Sequence, residues 1–190
     1  MIRSYKDYRR YREADRKSLG LRKFPFSFLI NDVYRFEARL RKLEFVLNCQ
    51  FPFPFIWLAR FLLWRSSSRM GFSISPNTFG PGLSIAHRGT LIVNGGARIG
   101  ANCRIHPGVT IGTRAGANSE APEIGDDCYL GPGAKIFGPI RIGNGTVVGA
   151  NAVVNRSFPD GNQTLAGVPA RVISNKSSLG LLIQGSYLID

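Results

Sequence analysis

The sequence predicts a mainly β protein, a solenoid of six-residue repeats that follows a short α-helical N-terminal region. Two periodicities support this division. From residue 72 onward a branched or large apolar residue recurs every six positions, often followed by Gly. Between residues 26 and 49 apolar residues recur at steps of four and three. The first period is typical of stacked repeat units and the second of an amphipathic helix.

Each six-residue unit is interpreted as one short strand and a turn. The repeated apolar residue points inward, and the adjacent Gly permits a tight corner at little steric cost. The repeated positions are Phe79, Ile85, Val93, Ile99, Ile105, Ile111, Ile124, Leu130, Ile136, Ile142, Val148 and Val154. Alternation along a strand also turns inward the residues two positions earlier: Ala97, Cys103, Val109, Cys128, Ala134, Ile140, Thr146 and Ala152. Cys103 and Cys128 are therefore predicted to be buried packing residues rather than catalytic thiols.

The N-terminal region is predicted to be helical and basic. An apolar face predicts one amphipathic helix over residues 27–48, and the first twenty residues indicate a second, polar helix. The apolar face comprises Leu29, Val33, Phe36, Leu40, Leu43 and Leu47, and the other face Arg35, Arg39, Arg41 and Lys42. Residues 1–70 hold 16 of the 25 basic and 6 of the 12 acidic residues, a balance of +10 in a total of +13. Such charge suits nucleic acid, an anionic membrane surface or an acidic ligand, or it is a solvated helix face.

The predicted organisation is a basic helical region over 1–70, the solenoid over 71–175 and a C-terminal tail over 176–190. Three cysteines without CxxC spacing or a Cys/His cluster indicate neither a disulfide framework nor a metal. The first residues lack the apolar core of a secretory signal. The apolar stretch over 51–64 contains two prolines and Arg60 and falls short of the roughly 20 residues of a spanning helix. A cytoplasmic location is expected, with peripheral contact at the inner face of the plasma membrane left open.

The six-residue register is interrupted twice. The step from Ile85 to Val93 has eight residues and contains Ala86-His87-Arg88-Gly89-Thr90, and the step from Ile111 to Ile124 has thirteen. Insertions in repeat solenoids form loops on one face, which is often the functional one. The candidate site is therefore sought in these two segments.

Three segments, in this order, resemble the hexapeptide-repeat acyltransferases over about residues 70 to 173. They are Ile85-Ala86-His87-Arg88-Gly89-Thr90, Ile105-His106-Pro107-Gly108-Val109-Thr110-Ile111-Gly112 and Ala166-Gly167-Val168-Pro169-Ala170-Arg171-Val172. Within that group the chain is similar to the serine O-acetyltransferases and to the acetyltransferases of capsule and exopolysaccharide clusters. The resemblance implies a left-handed parallel β-helix, assembly as a homotrimer, and acetyl-CoA as co-substrate.

The chain departs from the serine enzymes at three places. They carry an Asp just before the active-site His, an Asp about one coil earlier, and an Arg-His pair at the end of the long loop, where this chain has Ala86, Ser73 and Glu120-Ala121. The last change removes the cationic group that would meet an amino acid carboxylate. The loop over 112–118 instead resembles that of the polysaccharide-cluster members. A saccharide acceptor is therefore expected, with serine as the alternative and N-acetylation of an amino sugar left open.

Transfer of acetyl to a hydroxyl needs a general base, and imidazole has a suitable pKa near neutral pH. His87 lies in the eight-residue irregular step, so it is predicted to be displayed and to act as this base, with a structural turn histidine as the alternative. Subtracting one 18-residue coil from 106 gives 88, so His106 should stack beside His87-Arg88 and position the acceptor or orient His87, unless it is a solvent-exposed corner residue. Direct transfer without an acyl-enzyme is predicted, with a backbone N–H stabilising the oxyanion. A backbone carbonyl is left as the group that orients His87.

The resemblance implies that coenzyme A lies in a groove between adjacent solenoids, with its pantetheine arm bonded to coil backbone. The corresponding small or flat residues are Gly112, Thr113, Gly131, Pro132, Gly149 and Ala150. Arg114, Lys135 and Arg171 are candidates for binding the phosphates, with a solvated surface charge as the alternative for each.

The aromatic and basic segment after residue 50 resembles an element that binds an anionic bilayer surface. It comprises Trp57, Arg60, Phe61, Trp64, Arg65 and Arg69. Alternatively, these aromatics cap the open end of the solenoid or hold an oligomer together. A non-catalytic scaffold or nucleic-acid-binding protein is the hypothesis from another class, but no nucleic-acid module is apparent and no such partner is expected. A zinc hydratase is disfavoured because its site needs three His ligands and the chain has two histidines.

Overall fold

A computed structural model describes residues 1–22, 26–116 and 120–189. Four helices come first: α1 (Tyr5–Ser18), α2 (Phe26–Ile30), α3 (Asp32–Asn48) and α4 (Phe53–Met70). A short 3-10 helix, η1 (Gly185–Leu188), follows the last strand. None of the helices within these ranges combines the length and the apolar character needed to cross a membrane.

The strands form the three sides of a solenoid. The first sheet contains β1 (Phe72–Ile74), β3 (Leu91–Val93), β6 (Thr110–Gly112), β9 (Lys135–Phe137) and β12 (Val153–Val154). The second contains β4 (Arg98–Ile99), β7 (Glu123–Ile124) and β10 (Arg141–Ile142). The third contains β2 (Ser84–Ile85), β5 (Arg104–Ile105), β8 (Tyr129–Leu130), β11 (Val147–Val148), β13 (Thr164–Gly167) and β14 (Ala170–Ser174). Strands of successive coils pair in parallel, and the hairpin β13–β14 closes the third sheet in antiparallel fashion.

The predicted inward residues form the core of this solenoid. Each of the twelve hexad residues is buried, with at most 5% of its surface exposed, and so is each of the second inward set. Ile85, Ile105, Leu130 and Val148 stand in register on successive coils of the third sheet. Burial raises the pKa of the Cys128 thiol to about 12, since a thiolate is disfavoured away from water. The predicted repeat and the packing role of the solenoid cysteines are confirmed.

The helix predicted over residues 27–48 is interrupted. α2 ends at Ile30 and α3 begins at Asp32, because the Asn31 side chain accepts a hydrogen bond from the Tyr34 N–H at 2.9 Å and so acts as an N-cap. Leu29, expected on the buried face, is 66% exposed. The prediction of one continuous amphipathic helix was wrong at this position, since a cap residue satisfies backbone groups that an uninterrupted helix would pair internally.

α4 joins the helical region to the solenoid. Its prolines, Pro52 and Pro54, lie at and next to the N-terminus, where a missing N–H costs no intrahelical bond. It ends at Gly71, which adopts a left-handed conformation (φ 75°) and donates its N–H to the Ser67 carbonyl at 2.9 Å. β1 begins at the next residue. The chain therefore passes from the helices into the first coil without a linker.

Carboxylates of α1 and α3 cover the open edge of the first coil. A solenoid's first coil has backbone groups that no preceding coil can pair, and leaving them buried and unpaired would be costly. Three carboxylates accept hydrogen bonds from four of these N–H groups. Asp15 accepts from Gly82 and Leu83, both at 2.9 Å, Glu37 accepts from Ile85 at 3.0 Å, and Glu44 accepts from Asn77 at 2.8 Å.

Arg41 of α3 completes this cap and is fully buried, although it was expected on the polar face. Its guanidinium donates to the first-coil carbonyls of Phe79 and Gly80 at 2.9 and 2.6 Å. It also forms ion pairs with Asp15 at 2.8 Å and Glu44 at 3.0 Å. The expectation of an exposed Arg41 was wrong. Helical spacing does not show that Arg41 bonds to carbonyls 38 and 39 residues further along the chain.

Candidate active site

The two histidines meet at one corner of the solenoid. His87 follows β2 and His106 follows β5, the next strand of the third sheet. Backbone bonds continue past both strands, with Ala86 N–H to the Ile105 carbonyl at 3.0 Å and His106 N–H to the Leu130 carbonyl at 3.1 Å. The imidazole centroids are 6.5 Å apart and their planes are inclined by 65°. The structure thus brings the two histidines together, although this coil spans 20 residues rather than the 18 assumed, so that His106 aligns with Ala86 in the sheet.

The turn that carries His87 is held by the helical region. Arg88 forms an ion pair with Asp32 at the start of α3. The N–H of Gly89 donates to the carbonyl of Met70, the last residue of α4, at 3.2 Å. The His87 side chain itself is exposed, and no hydrogen bond joins its imidazole to another described residue. These contacts therefore hold the backbone of the turn, and through it the place of His87 at this corner.

The imidazole of His106 lies in a more enclosed environment. Its ring packs against the ring of Tyr129, with centroids 4.8 Å apart, and its Nε2 is buried without a hydrogen-bond partner. Burial lowers the pKa of His106 below its usual range, and the positive charges of Arg104 and His87 add to this effect. A neutral imidazole beside His87 can accept or donate a hydrogen bond.

Four of the predicted small or flat residues continue the same corner on the following coils. Gly131 donates its N–H to the Val148 carbonyl at 2.8 Å, and Gly149 to the Leu165 carbonyl at 2.7 Å. Pro132 and Ala150 follow them and are exposed. Three coil steps separate His87 from Gly149, which corresponds to about 14 Å at the usual strand spacing. We call the run from His87 through His106, Gly131 and Gly149 the corner column.

The glycines of the corner column have a packing role of their own. A Cβ added to Gly131 would lie 2.7 Å from the Val148 carbonyl oxygen, and one added to Gly149 would lie 3.1 Å from that of Leu165. Coil stacking therefore accounts for these glycines before any ligand is considered. At Gly112, by contrast, an added Cβ would meet nothing within 4 Å.

The remaining predicted residues lie apart from each other. Gly112 ends β6, and Thr113 and Arg114 follow it at the corner between the first and second sheets. The loop that begins there continues into residues 117–119, outside the described residues. Lys135 donates to the Gly108 carbonyl at 2.5 Å and to Thr110 Oγ1 at 3.2 Å. Arg171 is exposed on β14, opposite Ala166, which follows Leu165 at the far end of the corner column.

The solenoid also has a groove away from this corner. The groove, of about 630 Å³, runs along the second sheet, between the side chains of Arg98, Glu123 and Arg141. Its lining contains neither histidine, so this groove does not coincide with the imidazole pair. Within the three described ranges, no three His, Cys, Asp or Glu side chains are grouped so that they could hold a metal ion.

Sequence reasoning missed Tyr129 and Asp32. Tyr129 occupies an outward position between the inward Cys128 and Leu130, and it pairs with Arg104 in the sheet. Counting one coil through the long loop, 25 residues from Arg104, would have found it. Asp32 gave no such signal, because its partner Arg88 belongs to another type of structure and lies 56 residues away.

Comparison with known proteins gives a consistent result. The model of the family described as bacterial transferase hexapeptide (six repeats) matches residues 121–156. A serine acetyltransferase of Bacillus subtilis is 35% identical over 121 residues, which cover 63% of this chain and 55% of that protein. The chain spans about half the length of the curated relatives that it matches.

Solved structures extend the match to the helices. Soybean serine acetyltransferase is 30% identical, with a TM-score of 0.73 over 87% of this chain and 69% of that one. The chain belongs to the hexapeptide-repeat acyltransferases. A serine acetyltransferase of Brucella abortus in complex with coenzyme A is 30% identical, with a TM-score of 0.72 over 90% of this chain and 67% of that one. As in other hexapeptide-repeat acyltransferases, the solenoid is a left-handed parallel β-helix.

Proposed function

We propose that this chain is an acetyl-CoA-dependent O-acetyltransferase that uses His87 as its general base. The observation that supports this best is the pair of imidazoles 6.5 Å apart at the head of the corner column. His87 is accessible to an acceptor, and the neighbouring His106 stays neutral because burial lowers its pKa. This combination suits proton abstraction from a hydroxyl near neutral pH.

The spacing of the two rings favours a shared acceptor hydroxyl. A direct N···N hydrogen bond needs about 2.9 Å, which centroids 6.5 Å apart do not allow. One hydroxyl between the rings can donate its proton to His87 while its oxygen accepts a hydrogen bond from a ring N–H of His106. His87 takes the hydroxyl proton as the oxygen attacks the acetyl carbon. The carbon–sulfur bond then breaks, and the departing thiolate of coenzyme A takes the proton from His87. His106 acts as a positioning residue.

Acetyl-CoA would supply the acetyl group as an activated thioester. The solved relative with bound coenzyme A supports this co-substrate. On this chain, the exposed, flat surface of Pro132 and Ala150 offers room for an extended arm along the corner column. At its far end lies the exposed cation of Arg171, which forms no ion pair with a carboxylate among the described residues. Lys135 is less suited to a phosphate, since its ammonium group is already bonded to Gly108 and Thr110.

Two acceptors each have a supporting observation. The names of the relatives favour L-serine. A saccharide is favoured by the departures from the serine enzymes. Glu120-Ala121 stands where those enzymes carry the cationic pair that would meet an amino acid carboxylate, and Ala86 and Ser73 stand where they carry Asp. An amino sugar, acetylated on nitrogen, is the third candidate.

The exposed Ile92 and Phe137 on the first sheet are suited to contact with a second solenoid, which supports a homotrimer.

Thiol release from acetyl-CoA tests this proposal. Wild type, His87→Ala and His106→Asn are assayed with L-serine and with a panel of neutral and amino saccharides. His87→Ala should lower kcat/KM by about 10²- to 10⁴-fold with whichever acceptor the wild type uses. His106→Asn should mainly raise KM for the acceptor. Arg156→Gln, an exposed change on another coil, is the matched control and should leave both constants unchanged.

The product then distinguishes the acceptors. An ester is cleaved by alkaline hydroxylamine and an amide is not, so the product shows whether oxygen or nitrogen was acetylated. Turnover of L-serine alone would identify a serine acetyltransferase despite the changed residues. Turnover that survives His87→Ala undiminished would overturn the assignment of the base.

A further inference from the structure

An aromatic stripe runs along the exposed side of α4. Phe53, Trp57, Phe61 and Trp64 recur at three- and four-residue steps and are between 40 and 75% exposed. Trp57 stacks on Phe61 with centroids 5.7 Å apart, and Phe61 lies 5.9 Å from Trp64. The buried residues of α4, Ala59, Leu63, Ser66 and Met70, lie on the opposite side. The stripe therefore does not cap the solenoid, and the alternative that these aromatics cover its open end was wrong.

Arginines border this stripe on both sides. At about 3.6 residues per turn, Arg60 lies along one edge of the stripe, and Arg65 and Arg69 lie along the other. α4 has no acidic residue among its 18 residues. Aromatic rings flanked by long cationic side chains are typical of helices that lie in a membrane interface.

A cluster of like charges adjoins the second edge. Arg39 of α3 donates a hydrogen bond to Ser66 of α4, which brings its guanidinium to this surface. The pKa of Arg39 is lowered by burial and by the positive charges of Arg35, Arg65 and Arg69. In the part of the chain that the structure describes, none of these four arginines forms an ion pair with a carboxylate. The cluster therefore lacks an internal counter-charge.

We propose that this face of α4 binds the surface of an anionic lipid bilayer. The helix, about 27 Å long, would lie in the plane of the interface, with its aromatic stripe among the acyl-chain ends and its arginines on lipid phosphates. A second copy of the chain is the poorer occupant, because a two-fold contact would place this arginine cluster close to its own copy without any acidic residue on α4. This binding is independent of the proposed acetyl transfer.

The location of α4 gives the interaction a consequence for the histidine corner. Trp64 precedes Met70 by six residues, about 9 Å along the helix axis, and the Met70 carbonyl accepts the N–H of Gly89 in the His87 turn. A bilayer-bound α4 would thus hold the corner column near the membrane surface. If the proposed acetyl transfer is also correct, an acceptor attached to a lipid would come within reach of His87.

The full chain offers a direct probe of this surface, because both of its tryptophans, Trp57 and Trp64, lie in the stripe. Tryptophan emission and vesicle flotation are measured with vesicles of equal parts phosphatidylglycerol and phosphatidylcholine, and with phosphatidylcholine alone. The expected result is a blue shift, protection from acrylamide and flotation with the anionic vesicles only. Binding should weaken as salt is raised, since the charges lie at the surface.

Three double variants locate the contact. Arg65→Glu/Arg69→Glu should lower the affinity for anionic vesicles by about 30-fold or more, since each arginine near an anionic surface contributes roughly a fivefold factor. Arg9→Glu/Arg10→Glu, on the exposed side of α1, changes the net charge equally and should lower it far less. Trp57→Ser/Trp64→Ser should abolish flotation while the far-ultraviolet circular dichroism stays unchanged.

Three results would overturn the proposal. The first is the absence of binding to anionic vesicles, and the second is equal loss in the two charge-reversal variants. The third is a concentration-dependent blue shift without lipid, accompanied by a larger assembly mass in light scattering, which would assign the stripe to a second copy. If the wild-type protein bound anionic vesicles but transferred no acetyl group to any acceptor, only the proposed function would be contradicted.

Discussion

The solenoid and the helical region of this chain are stabilised in different ways. In the solenoid, apolar residues such as Ile105 and Leu130 stack on equivalent residues of the next coil, and backbone bonds repeat from coil to coil. The helical region packs on the solenoid through apolar contacts such as Phe36 on Phe72, and it pairs the backbone of the first coil with four buried charged residues, Asp15, Glu37, Arg41 and Glu44. The comparison shows how a repeat ends: once no further coil is present, side chains must supply the hydrogen bonds that backbone would have supplied.

The energetic consequences of the two arrangements differ as well. Each coil's contribution to the free energy of folding is divided over many similar contacts. One substitution therefore removes only a fraction of the contacts of one coil. Asp15, Arg41 and Glu44 form one network of ion pairs, and removal of Arg41 would leave its two partners buried without their cation. The helical region should therefore be the more sensitive of the two to single substitutions.

Arg41→Met should give the largest effect. The substitution keeps the bulk of the side chain but leaves Asp15 and Glu44 without their cation, so we expect a loss of about 3–5 kcal/mol in the free energy of unfolding. Denaturant titration at fixed protein concentration measures it. Arg9→Met on the exposed side of α1 is the control and should change stability by less than about 0.5 kcal/mol.

Ile136→Val tests the solenoid side of the comparison. Ile136 is fully buried between Ile111 and Val154 of the adjacent coils. Loss of one methylene there should cost about 0.5–1.5 kcal/mol, measured by the same titration. A cost equal to that of Arg41→Met would mean that the two regions do not differ in sensitivity.

Glu37→Gln should change the pH dependence of stability. Burial raises the pKa of Glu37 well above 4.5, and the negative charge of Asp15 raises it further. From pH 4.5 up to that raised pKa the folded state binds more protons than the unfolded state, so wild-type stability falls as pH rises through this window. Gln keeps the oxygen that accepts the Ile85 N–H and removes the titration. The variant should lose less stability than wild type between pH 4.5 and neutral pH in parallel thermal melts, and an unchanged slope would show that Glu37 does not titrate there.

Asp32→Asn should give the smallest effect. It removes the ion pair with Arg88, which is largely exposed, so stability should change by less than about 1 kcal/mol. Because this pair joins α3 to the His87 turn, the change should appear instead as a modest loss of kcat with whichever acceptor is used. A fall in kcat as large as that of His87→Ala would show that the helical region controls the catalytic geometry rather than only supporting it.

The sequence by itself determined the solenoid, its inward residues and the meeting of the two histidines. These features follow from a short period, since a residue's environment in one coil is repeated by the same position in the next. Cys103, Cys128 and the His87-His106 corner could therefore be placed by counting. The family motifs added the co-substrate and the candidate residues of the corner column.

Only the tertiary structure decided how the helices end the repeat. The break at Asn31, the burial of Arg41 and the packing of Tyr129 on His106 were not predicted, and the exposure of the α4 aromatics decided between interpretations that the sequence left open. Each depends on a partner that no local period specifies, such as the Phe79 carbonyl 38 residues beyond Arg41. Helical spacing identifies which face of a helix is apolar, but the energy of pairing a buried charge depends on groups that come together only when the chain has folded.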